Sequence, residues 1–251
     1  MVSFVVIELC GNALPQPPRL ALYQKWRPQV LIKMLFKFGK REHLEATRSR
    51  GELHFGSFKF YRNCENNEVG DKNEGTHRIV NSANLSLTVL NGYNCEPLLH
   101  GKLENVTVRE FSNISDEARI YCMYRKLVDV SEDVELSEIV DIKLVEKFGY
   151  ESVLIIADVE EFYRRLDNYL SERSLLYRRG CVEYKDLSNG VVETTPFIKD
   201  IRYEPQCEYR ICVQKINGDQ PLIINIGSLS DITQIVDSSL LSRAKIIRKV
   251  E

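Results

Sequence analysis

The residues with the clearest chemical potential are Glu208 and Arg210, which begin an apolar run with Tyr209, Ile211 and Val213. Side chains alternate between the two faces of a strand, so Glu208 and Arg210 are predicted to share one face. A carboxylate and a guanidinium side by side can form a structural ion pair, or can hold a polar substrate. The spacing alone leaves both alternatives open.

Two further groups of residues could contribute to a binding site. Residues 70–75 are flanked by glycines and contain Asp71 and Glu74. These carboxylates could bind sugar hydroxyls, or the segment could be a solvated turn. Three neighbouring aromatic side chains could offer a flat surface to a nicotinamide ring or a base, or could pack in the core. They are Phe58, Phe60 and Tyr61.

The common nucleotide, hydrolase and metal motifs do not occur in the sequence. There is no G-x-x-x-x-G-K-[ST], G-x-G-x-x-G, G-x-S-x-G or H-E-x-x-H, which argues against a P-loop, a Rossmann fingerprint, a nucleophile elbow and a zincin site. The histidines lack ligand spacing and no C-x-x-C occurs, so no structural metal is expected. From the residues alone, His54 is interpreted as a partly buried, hydrogen-bonded strand residue.

Composition predicts a soluble, intracellular, globular protein. Of the 251 residues, 43% are hydrophobic, which is enough for one sizeable core and tight for two domains. No apolar run approaches the ~20 residues that span a bilayer, and the apolar start at residues 2–9 lacks the basic region of a signal peptide. The seven cysteines are scattered, which predicts reduced thiols in the cytoplasm.

Charge is unevenly distributed along the chain, although the net charge is −2. Residues 19–62 contain 11 Lys and Arg against 3 Asp and Glu, whereas residues 63–160 contain 9 against 19. The basic segment could contact the phosphates of a dinucleotide or a nucleic acid. Alternatively, basic and acidic faces could neutralise each other within one fold.

Periodicity and turn residues predict the elements that position these side chains. Helices are predicted at residues 41–50 before Gly51, at 137–148 before Gly149, from the Asp158 N-cap to 172, and at a short final helix opened by 227–231. Strands are predicted at 35–38, 52–57, 85–89, 102–111, 120–124, 152–156, 180–184, 208–213 and 221–226, with a turn at Asn91-Gly92. Because strands and helices do not alternate regularly, the predicted class is α+β. A proline-rich stretch divides an N-terminal arm, 1–18, from a single domain, 19–251.

Taken in chain order, several of these pieces resemble the motifs of a broad family of uncharacterised bacterial proteins. The family pattern is a Lys-Tyr/Phe strand, a G-x-L-y-F-s-s strand, an E-G loop and a late F-x-K…E-x-E-y-R-i strand. The matching positions are Lys37-Phe38, 51–57, Glu74-Gly75 and 197–211. That family is similar to the ADP-ribosyltransferase fold and overlaps with toxins of phage defence and toxin–antitoxin systems. The match spans roughly residues 36–228, and it departs from the pattern in the polar insertion at 62–72.

The resemblance implies a split β-sheet core with peripheral helices and an NAD-dependent mono-ADP-ribosyltransferase activity without a metal. Glu208 is then expected to stabilise an oxocarbenium-like transition state and to deprotonate the acceptor. Arg210 is expected to orient Glu208 or to bind phosphate, and Tyr61 to stack on the nicotinamide. Asp71 and Glu74 remain alternative key carboxylates.

The resemblance also implies which residues bind NAD, the substrate that donates ADP-ribose. Lys37 is expected at a phosphate or ribose and Ser57 at the nicotinamide ribose, and Phe60 is the alternative stacking residue. His54 and Glu74 complete the expected NAD-binding set.

The implied partners are NAD, a macromolecular acceptor and an antitoxin or inhibitor protein, with no membrane. RNA or DNA is favoured over protein as the acceptor. One rival hypothesis is a nucleic-acid-binding or nuclease-type effector that does not use NAD, supported by aromatic residues within the basic segment. They are Tyr23, Trp26, Phe36 and Phe38. A second rival is a non-catalytic binding module of the same fold; NAD turnover separates it from the enzyme.

Overall fold

Strands and helices build an α+β fold. The computed structural model describes residues 3–9, 31–64, 69–90, 95–112, 117–214, 216, 218 and 220–250. The strands, in chain order, are β1 (Ser3–Leu9), β2 (Leu31–Gly39), β3 (Glu52–Ser57), β4 (Thr76–Leu90), β5 (Pro97–Phe111), β6 (Arg119–Asp129), β7 (Val134–Glu135), β8 (Ser152–Ile156), β9 (Tyr177–Cys181), β10 (Glu183–Lys185), β11 (Val191–Glu193), β12 (Ile198–Asp200), β13 (Glu208–Val213), β14 (Leu222–Asn225), β15 (Thr233–Asp237) and β16 (Ala244–Val250). The helices are α1 (Arg41–Arg50), α2 (Phe58–Asn63), α3 (Leu136–Ile139), α4 (Ile142–Phe148) and α5 (Val159–Glu172), with 3₁₀ helices at Ile201–Gln206 and Ser238–Arg243.

The main antiparallel sheet is split on one edge of its strand β6. Its order is β14-β3-β6-β2-β8-β15, with β13 lying against β6 and β9 against β13. β13 pairs with one edge of β6 along the first half of that strand. On the opposite edge, β3 pairs with β6 as far as Ile120, and β2 pairs with it from Tyr124 onward. Tyr121, Cys122 and Met123 therefore lie in a gap between β3 and β2.

Helices α1 and α5 cover one face of this sheet. The carboxylate of Asp158 accepts a hydrogen bond from the Glu161 amide at 2.9 Å and caps α5. Phe162, Leu166 and Leu170 are buried at helical spacing against the sheet. Each buried side chain of this size contributes roughly 1.5–3 kcal/mol, which holds α5 on the sheet.

Two apolar clusters flank the gap on the opposite face of the sheet. The larger one is built around Phe36 and Leu136 and includes side chains of α3, α4 and β16. The smaller one is built around Phe58 and Ile120. The side chain of Arg210 on β13 lies on this face between the two clusters, where the register places it opposite Cys122.

Several predicted elements are confirmed with their caps. Gly51 ends α1 in the left-handed region at φ 67°, β8 is buried at every position, and α5 begins at its Asp158 N-cap. The hairpin strands are longer than predicted, since β4 and β5 each have 15 residues. The predicted Asn91-Gly92 turn and residues 10–18 of the predicted arm lie outside the described residues, while β1 pairs with β16.

Two helix predictions are wrong. The helix predicted at 137–148 is divided into α3 and α4, because the Asp141 carboxylate accepts from the Lys143 amide at 2.9 Å and starts a new helix. The short final helix predicted to be opened by residues 227–231 does not form: the Leu229 amide donates to the Arg48 carbonyl at 2.8 Å, which holds this segment against the end of α1, and the chain continues as β15. Across the described part of the chain, no helix is long and apolar enough to cross a membrane.

Candidate active site

Strand β13 carries the first two polar residues of the site. Glu208 and Arg210 share one face of the strand, as predicted, because Tyr209 and Ile211 face the core on the other side. The Oε2 atom of Glu208 accepts a hydrogen bond from Nε of Arg210 at 2.6 Å. The pair lies at the gap in the main sheet.

A tight turn brings Glu74 to the same place. The Asp71 carboxylate accepts from the Asn73 amide at 2.9 Å, and Gly75 closes the turn at φ +73°. A Cβ atom on Gly75 would lie 2.8 Å from Cβ of Phe58, so only glycine fits there. Both Glu74 oxygens accept from the Arg210 guanidinium, one of them at 3.1 Å from Nη1.

Lys199 on β12 completes a buried network of four charges. Its Nζ donates to Glu208 Oε1 at 2.7 Å and to Gln206 Oε1 at 2.8 Å. The 3₁₀ helix that follows ends at Cys207, whose φ of +42° turns the chain into β13. Lys199 was not among the predicted site residues; the signal was its place in the late F-x-K motif, ahead of Glu208.

Lys37 reaches the gap from β2. Its Nζ donates to the Cys122 carbonyl at 2.7 Å and lies 4.4 Å from the centre of the Tyr121 ring. The Cys122 carbonyl belongs to the part of β6 that lies between β3 and β2, so the lysine provides a hydrogen bond where the sheet is split. Burial lowers the pKa of Lys37, while the nearby Glu208 carboxylate opposes this effect.

The charges on the described residues of the cleft do not balance. Three basic side chains, Lys37, Lys199 and Arg210, and two carboxylates, Glu74 and Glu208, line it. With all five groups ionised, the described residues of the cleft carry one surplus positive charge. A surplus cation on a buried surface favours an anionic ligand.

The two carboxylates differ in how firmly they are ionised. Burial by itself would raise the pKa of Glu208, but Arg210 and Lys199 outweigh it and lower the pKa to about 2. For Glu74, burial raises the pKa, and Arg210 opposes that effect only in part. Glu208 is therefore the more acidic of the two and stays ionised at neutral pH.

Tyr61 and Cys122 stay protonated at neutral pH. Burial raises the pKa of the Tyr61 hydroxyl well above its ordinary value, with Cys122 and Glu208 adding to the effect. Burial, followed by the nearby Glu208 carboxylate, raises the pKa of the Cys122 thiol to about 12. Because the thiolate is the reactive form of cysteine, Cys122 is not placed as a nucleophile.

Aromatic side chains form the walls above the charged floor. Phe148 lies with its ring centre 6.4 Å from that of Phe38 and 5.4 Å from that of Tyr150. Tyr61 lines the cleft as well. A Cβ atom on Gly56 would lie 2.8 Å from the Tyr61 ring, so this ring packs directly against the backbone of Gly56. The cleft encloses about 650 Å³ of space, part of it open to solvent.

His54 is not brought to this cleft. Strand β3 buries Leu53 and Phe55 in the same core as Tyr209 and Ile211, so alternation turns His54 toward the face of Glu208 and Arg210. It is nevertheless absent from the residues that line the cleft. Its Nε2 atom lies 2.7 Å from Glu52 Oε1, and its side chain is 47% exposed. The structure therefore places His54 at the surface, hydrogen-bonded to Glu52, rather than beside Lys37.

Ser57 and Phe60 are also outside the cleft. The Ser57 hydroxyl accepts from the Phe60 amide at 3.1 Å and caps α2, a helix that was not predicted. The Phe60 side chain is exposed and meets the Tyr61 ring edge-on at 5.3 Å between centres. Of the two predicted stacking residues, only Tyr61 lines the cleft.

Asp71 lies in a neighbouring cavity rather than in the cleft. The residues that the structure describes contain no group of three or more His, Cys, Asp or Glu arranged to hold a metal ion. The cleft thus combines a firmly ionised carboxylate, an aromatic wall and a surplus cation. This set can hold an anionic ligand and stabilise a positive charge that develops beside Glu208.

Comparisons with known proteins add nothing to this geometry. No protein-family model, curated protein or solved structure matches the chain.

Proposed function

We propose that this protein is an NAD-dependent mono-ADP-ribosyltransferase with a macromolecular acceptor. The observation that carries the proposal is the Glu208 carboxylate, which is held ionised in an aromatic cleft by Arg210 and Lys199. The proposal includes an ADP-ribosyltransferase-like split sheet; the gap on β6 supports this fold.

The proposed reaction is a substitution at the anomeric carbon of the nicotinamide ribose. The bond from that carbon to the nicotinamide nitrogen breaks, and its electron pair leaves with the neutral nicotinamide. The ribose becomes an oxocarbenium-like cation, and a lone pair of the acceptor forms the new bond. The acceptor's proton is lost to solvent or a base. A fixed negative charge beside the ribose lowers the barrier, because it attracts the positively charged ribose of the transition state more strongly than it attracts the uncharged ribose of the ground state.

Glu208 is proposed to act through its charge. A carboxylate with a pKa of about 2 is a weak base, because effective proton acceptors have pKa values near the working pH. Its charge, in contrast, is present throughout the physiological range. The expectation that Glu208 also deprotonates the acceptor is therefore the less supported part of its role.

Arg210 is proposed as a positioning residue. Its donors go to Glu208, to Glu74 and to the Pro196 carbonyl at 2.7 Å, which supports orientation of Glu208 over phosphate binding. Glu74 is proposed to fix the guanidinium in turn, and Lys199 to hold the second oxygen of Glu208. Preorganised charges of this kind lose no energy to rearrangement when the ribose becomes positive.

Lys37 and Tyr61 are proposed to contact NAD itself. Lys37 carries the surplus positive charge of the cleft, which suits a pyrophosphate oxygen. The Tyr61 ring stands in the wall and is neutral, which suits stacking on the nicotinamide. The remaining aromatic residues of the wall exclude water from the charged floor.

The place of action and the partners belong to the same proposal. In the described part of the chain the six cysteines form no disulfide, which supports a reducing cytoplasm. A restraining antitoxin or inhibitor is proposed because uncontrolled transfer of ADP-ribose would harm the cell.

The test is transfer of label from NAD. The purified protein, free of any inhibitor, is incubated with NAD labelled in its ADP-ribose part and a total lysate, and protein, DNA and RNA are then separated. Label in one fraction, lost with Glu208→Gln, is the expected result and names the acceptor class. If the folded protein transfers no label to any fraction and releases no nicotinamide, the proposal is overturned.

A further inference from the structure

A second cavity adjoins the cleft and is strongly basic. The two share Gln206 as a wall residue, and Gln206 also accepts the hydrogen bond from Lys199. The second cavity offers about 1140 Å³ including its opening to solvent, which is larger than the cleft. Its walls come from the loop after α2, from α4 and from the 3₁₀ helix before β13.

Positive side chains dominate this cavity. Among the described residues that line it, Arg62, Lys72, Lys147 and Arg202 are cationic, and Asp71 alone is anionic. The Asp71 side chain is 2% exposed and lies 3.9 Å from Arg202, and it also accepts the Asn73 amide hydrogen bond within the turn that carries Glu74. Counted over these described lining residues, the surplus is three positive charges, which is larger than that of the cleft.

Part of the wall is held in place by contacts within the protein. Arg62 donates to the Glu74 carbonyl at 3.1 Å and lies over the Phe111 ring at 4.4 Å. Arg202 lies 4.8 Å from the centre of the Tyr203 ring. The Tyr203 hydroxyl donates to the Gly70 carbonyl at 3.0 Å. Both arginines are thus supported by aromatic rings, which lowers the entropy lost when they bind a ligand.

The basic segment at residues 19–62 is a weaker candidate for anion binding. In its described part, Lys33, Arg41 and Arg50 each form an ion pair with an acidic side chain of the fold. These charges are balanced within the molecule. Arg202 of the second cavity also lies 3.9 Å from Asp71 and 3.9 Å from Asp200. The cavity differs from the segment in that its four cations gather around one opening.

We propose that this cavity binds phosphate groups of a polynucleotide, which is the acceptor in the transfer reaction. Guanidinium and ammonium groups are the side chains that bind phosphodiesters. Lys37 is already proposed to contact the NAD pyrophosphate. A further surplus of three positive charges exceeds what that group requires, so a polyanion suits the second cavity better than NAD does. The shared wall at Gln206 places such a ligand beside Glu208. The acceptor role rests on the proposed function, whereas phosphate binding does not.

The experiment measures binding of labelled single-stranded RNA and DNA without NAD, by fluorescence anisotropy over a series of salt concentrations. The test variant is Lys72→Glu with Lys147→Glu, since both side chains are exposed. The matched control is Lys126→Glu with Lys143→Glu, which changes the net charge equally at exposed positions outside the cavity. Circular dichroism verifies that both variants fold.

We expect the cavity variant to bind single-stranded RNA or DNA at least about tenfold more weakly than the wild type does. The control variant should bind with the affinity of the wild type. The slope of log affinity against log salt should fall by roughly 1.4, since each single-strand phosphate contact contributes roughly 0.7. Equal binding by the cavity variant, or equal weakening in the control, would overturn the proposal. Inorganic pyrophosphate and ATP are tested in parallel. Binding of these alone, lost in the cavity variant, would overturn the polynucleotide as ligand.

The two proposals fail separately. If RNA or DNA binding depends on the cavity but the protein never releases nicotinamide, the transferase proposal is overturned and the phosphate site is retained. If the protein releases nicotinamide but the cavity variant binds RNA and DNA like the wild type, the phosphate site is overturned and the transferase proposal is retained.

Discussion

Two ion-pair networks of similar make-up lie in very different surroundings. At the surface, Arg165 binds Asp231 at 2.5 Å, and in the cleft Arg210 binds Glu208 at 2.6 Å as well as Glu74. The side chains of Arg165 and Asp231 are 20% and 58% exposed, whereas those of Arg210 and Glu74 are 2% and 4% exposed. The bond lengths are similar, so burial is what separates the two networks.

Burial changes how much an ion-pair network contributes to the free energy of unfolding. An exposed ion pair contributes about 0–1 kcal/mol to stability, because water and salt screen it. Taking charges out of water costs several kcal/mol per ion, and their attraction repays this only in good geometry. A well-packed apolar cluster would stabilise the fold at least as well. Stability alone therefore does not explain the buried network, and its place at the gap in the sheet agrees with the role in binding proposed above.

The largest expected effect is the loss of Arg210. Arg210→Met leaves Glu74 and Glu208 buried without their shared counter-charge, so the free energy of unfolding should fall by about 3–5 kcal/mol. Arg165→Met, the matched surface change, should cost no more than about 1 kcal/mol. Urea unfolding measured by circular dichroism compares the two.

A second set of variants tests whether stability explains the network. Replacing Glu74, Lys199, Glu208 and Arg210 together by Met should recover most of the stability lost in Arg210→Met, since no charge is left unpaired. NAD turnover should stay absent. Equal stability losses for Arg210→Met and Arg165→Met would remove the distinction between the two networks.

Acid should act on the buried carboxylate in a defined direction. The pKa of Glu208, about 2, is below its ordinary value of 4.5, so between these values the unfolded chain binds more protons than the folded protein. The stability contributed by the ionised group is fully present above about pH 4.5 and is lost as the pH falls toward 2. The difference in unfolding free energy between wild type and Glu208→Gln should shrink over this range. A difference that grows as the pH falls would mean that burial, not the two cations, controls Glu208.

A smaller effect is expected from the surplus cation. Lys37→Met should weaken NAD binding by about tenfold, which corresponds to about 1.4 kcal/mol for one charged hydrogen bond. Lys33→Met on the same strand removes a partly exposed lysine that pairs with Glu160 at 3.3 Å, and should leave NAD affinity unchanged. Isothermal titration calorimetry measures both. Equal affinities for the two variants would remove Lys37 from the proposed site.

Salt should give the smallest effect and should act on one network only. A double-mutant cycle on Arg165 and Asp231 should give a coupling of no more than about 1 kcal/mol at low salt, falling toward zero at 1 M, where the Debye length is about 3 Å. The same cycle on Arg210 and Glu74 should keep its coupling. A surface coupling that resists salt would place Asp231 in a more buried network than its exposure indicates.

Part of the site follows from local patterns in the sequence. Strand alternation predicts that Glu208 and Arg210 share a face, and both lie in the cleft. The same alternation does not exclude His54, because it turns this residue to the face of Glu208 and Arg210; only its exposed position on β3 in the folded protein separates it from the cleft. Helix α5 and strand β8 were also predicted, since their signals are caps and apolar runs that depend on neighbouring residues only.

The rest of the site depends on contacts between distant parts of the chain. Glu74 and Arg210 are 136 positions apart, and their pairing depends on how the turn at Gly75 packs against β13. Lys199 reaches Glu208 because a 3₁₀ helix ends at Cys207 in a left-handed conformation. Neither relation follows from sequence periodicity, although the late F-x-K motif places Lys199 shortly before Glu208. The same holds for the split in the sheet, which is set by where two strands leave β6.

The most direct test of the proposed activity is the rate of nicotinamide release from NAD by wild type, Glu208→Gln and Glu161→Gln. Glu161 is the surface counterpart, since its pKa is also lowered to about 2, there by hydrogen bonds from Arg164 and Arg165. We expect Glu208→Gln to slow release by about 10²–10³-fold, the loss typical of removing one electrostatic contact to a transition state, and Glu161→Gln to leave the rate unchanged. Equal rates for all three proteins would contradict the assignment of Glu208 as the carboxylate that stabilises the reacting ribose.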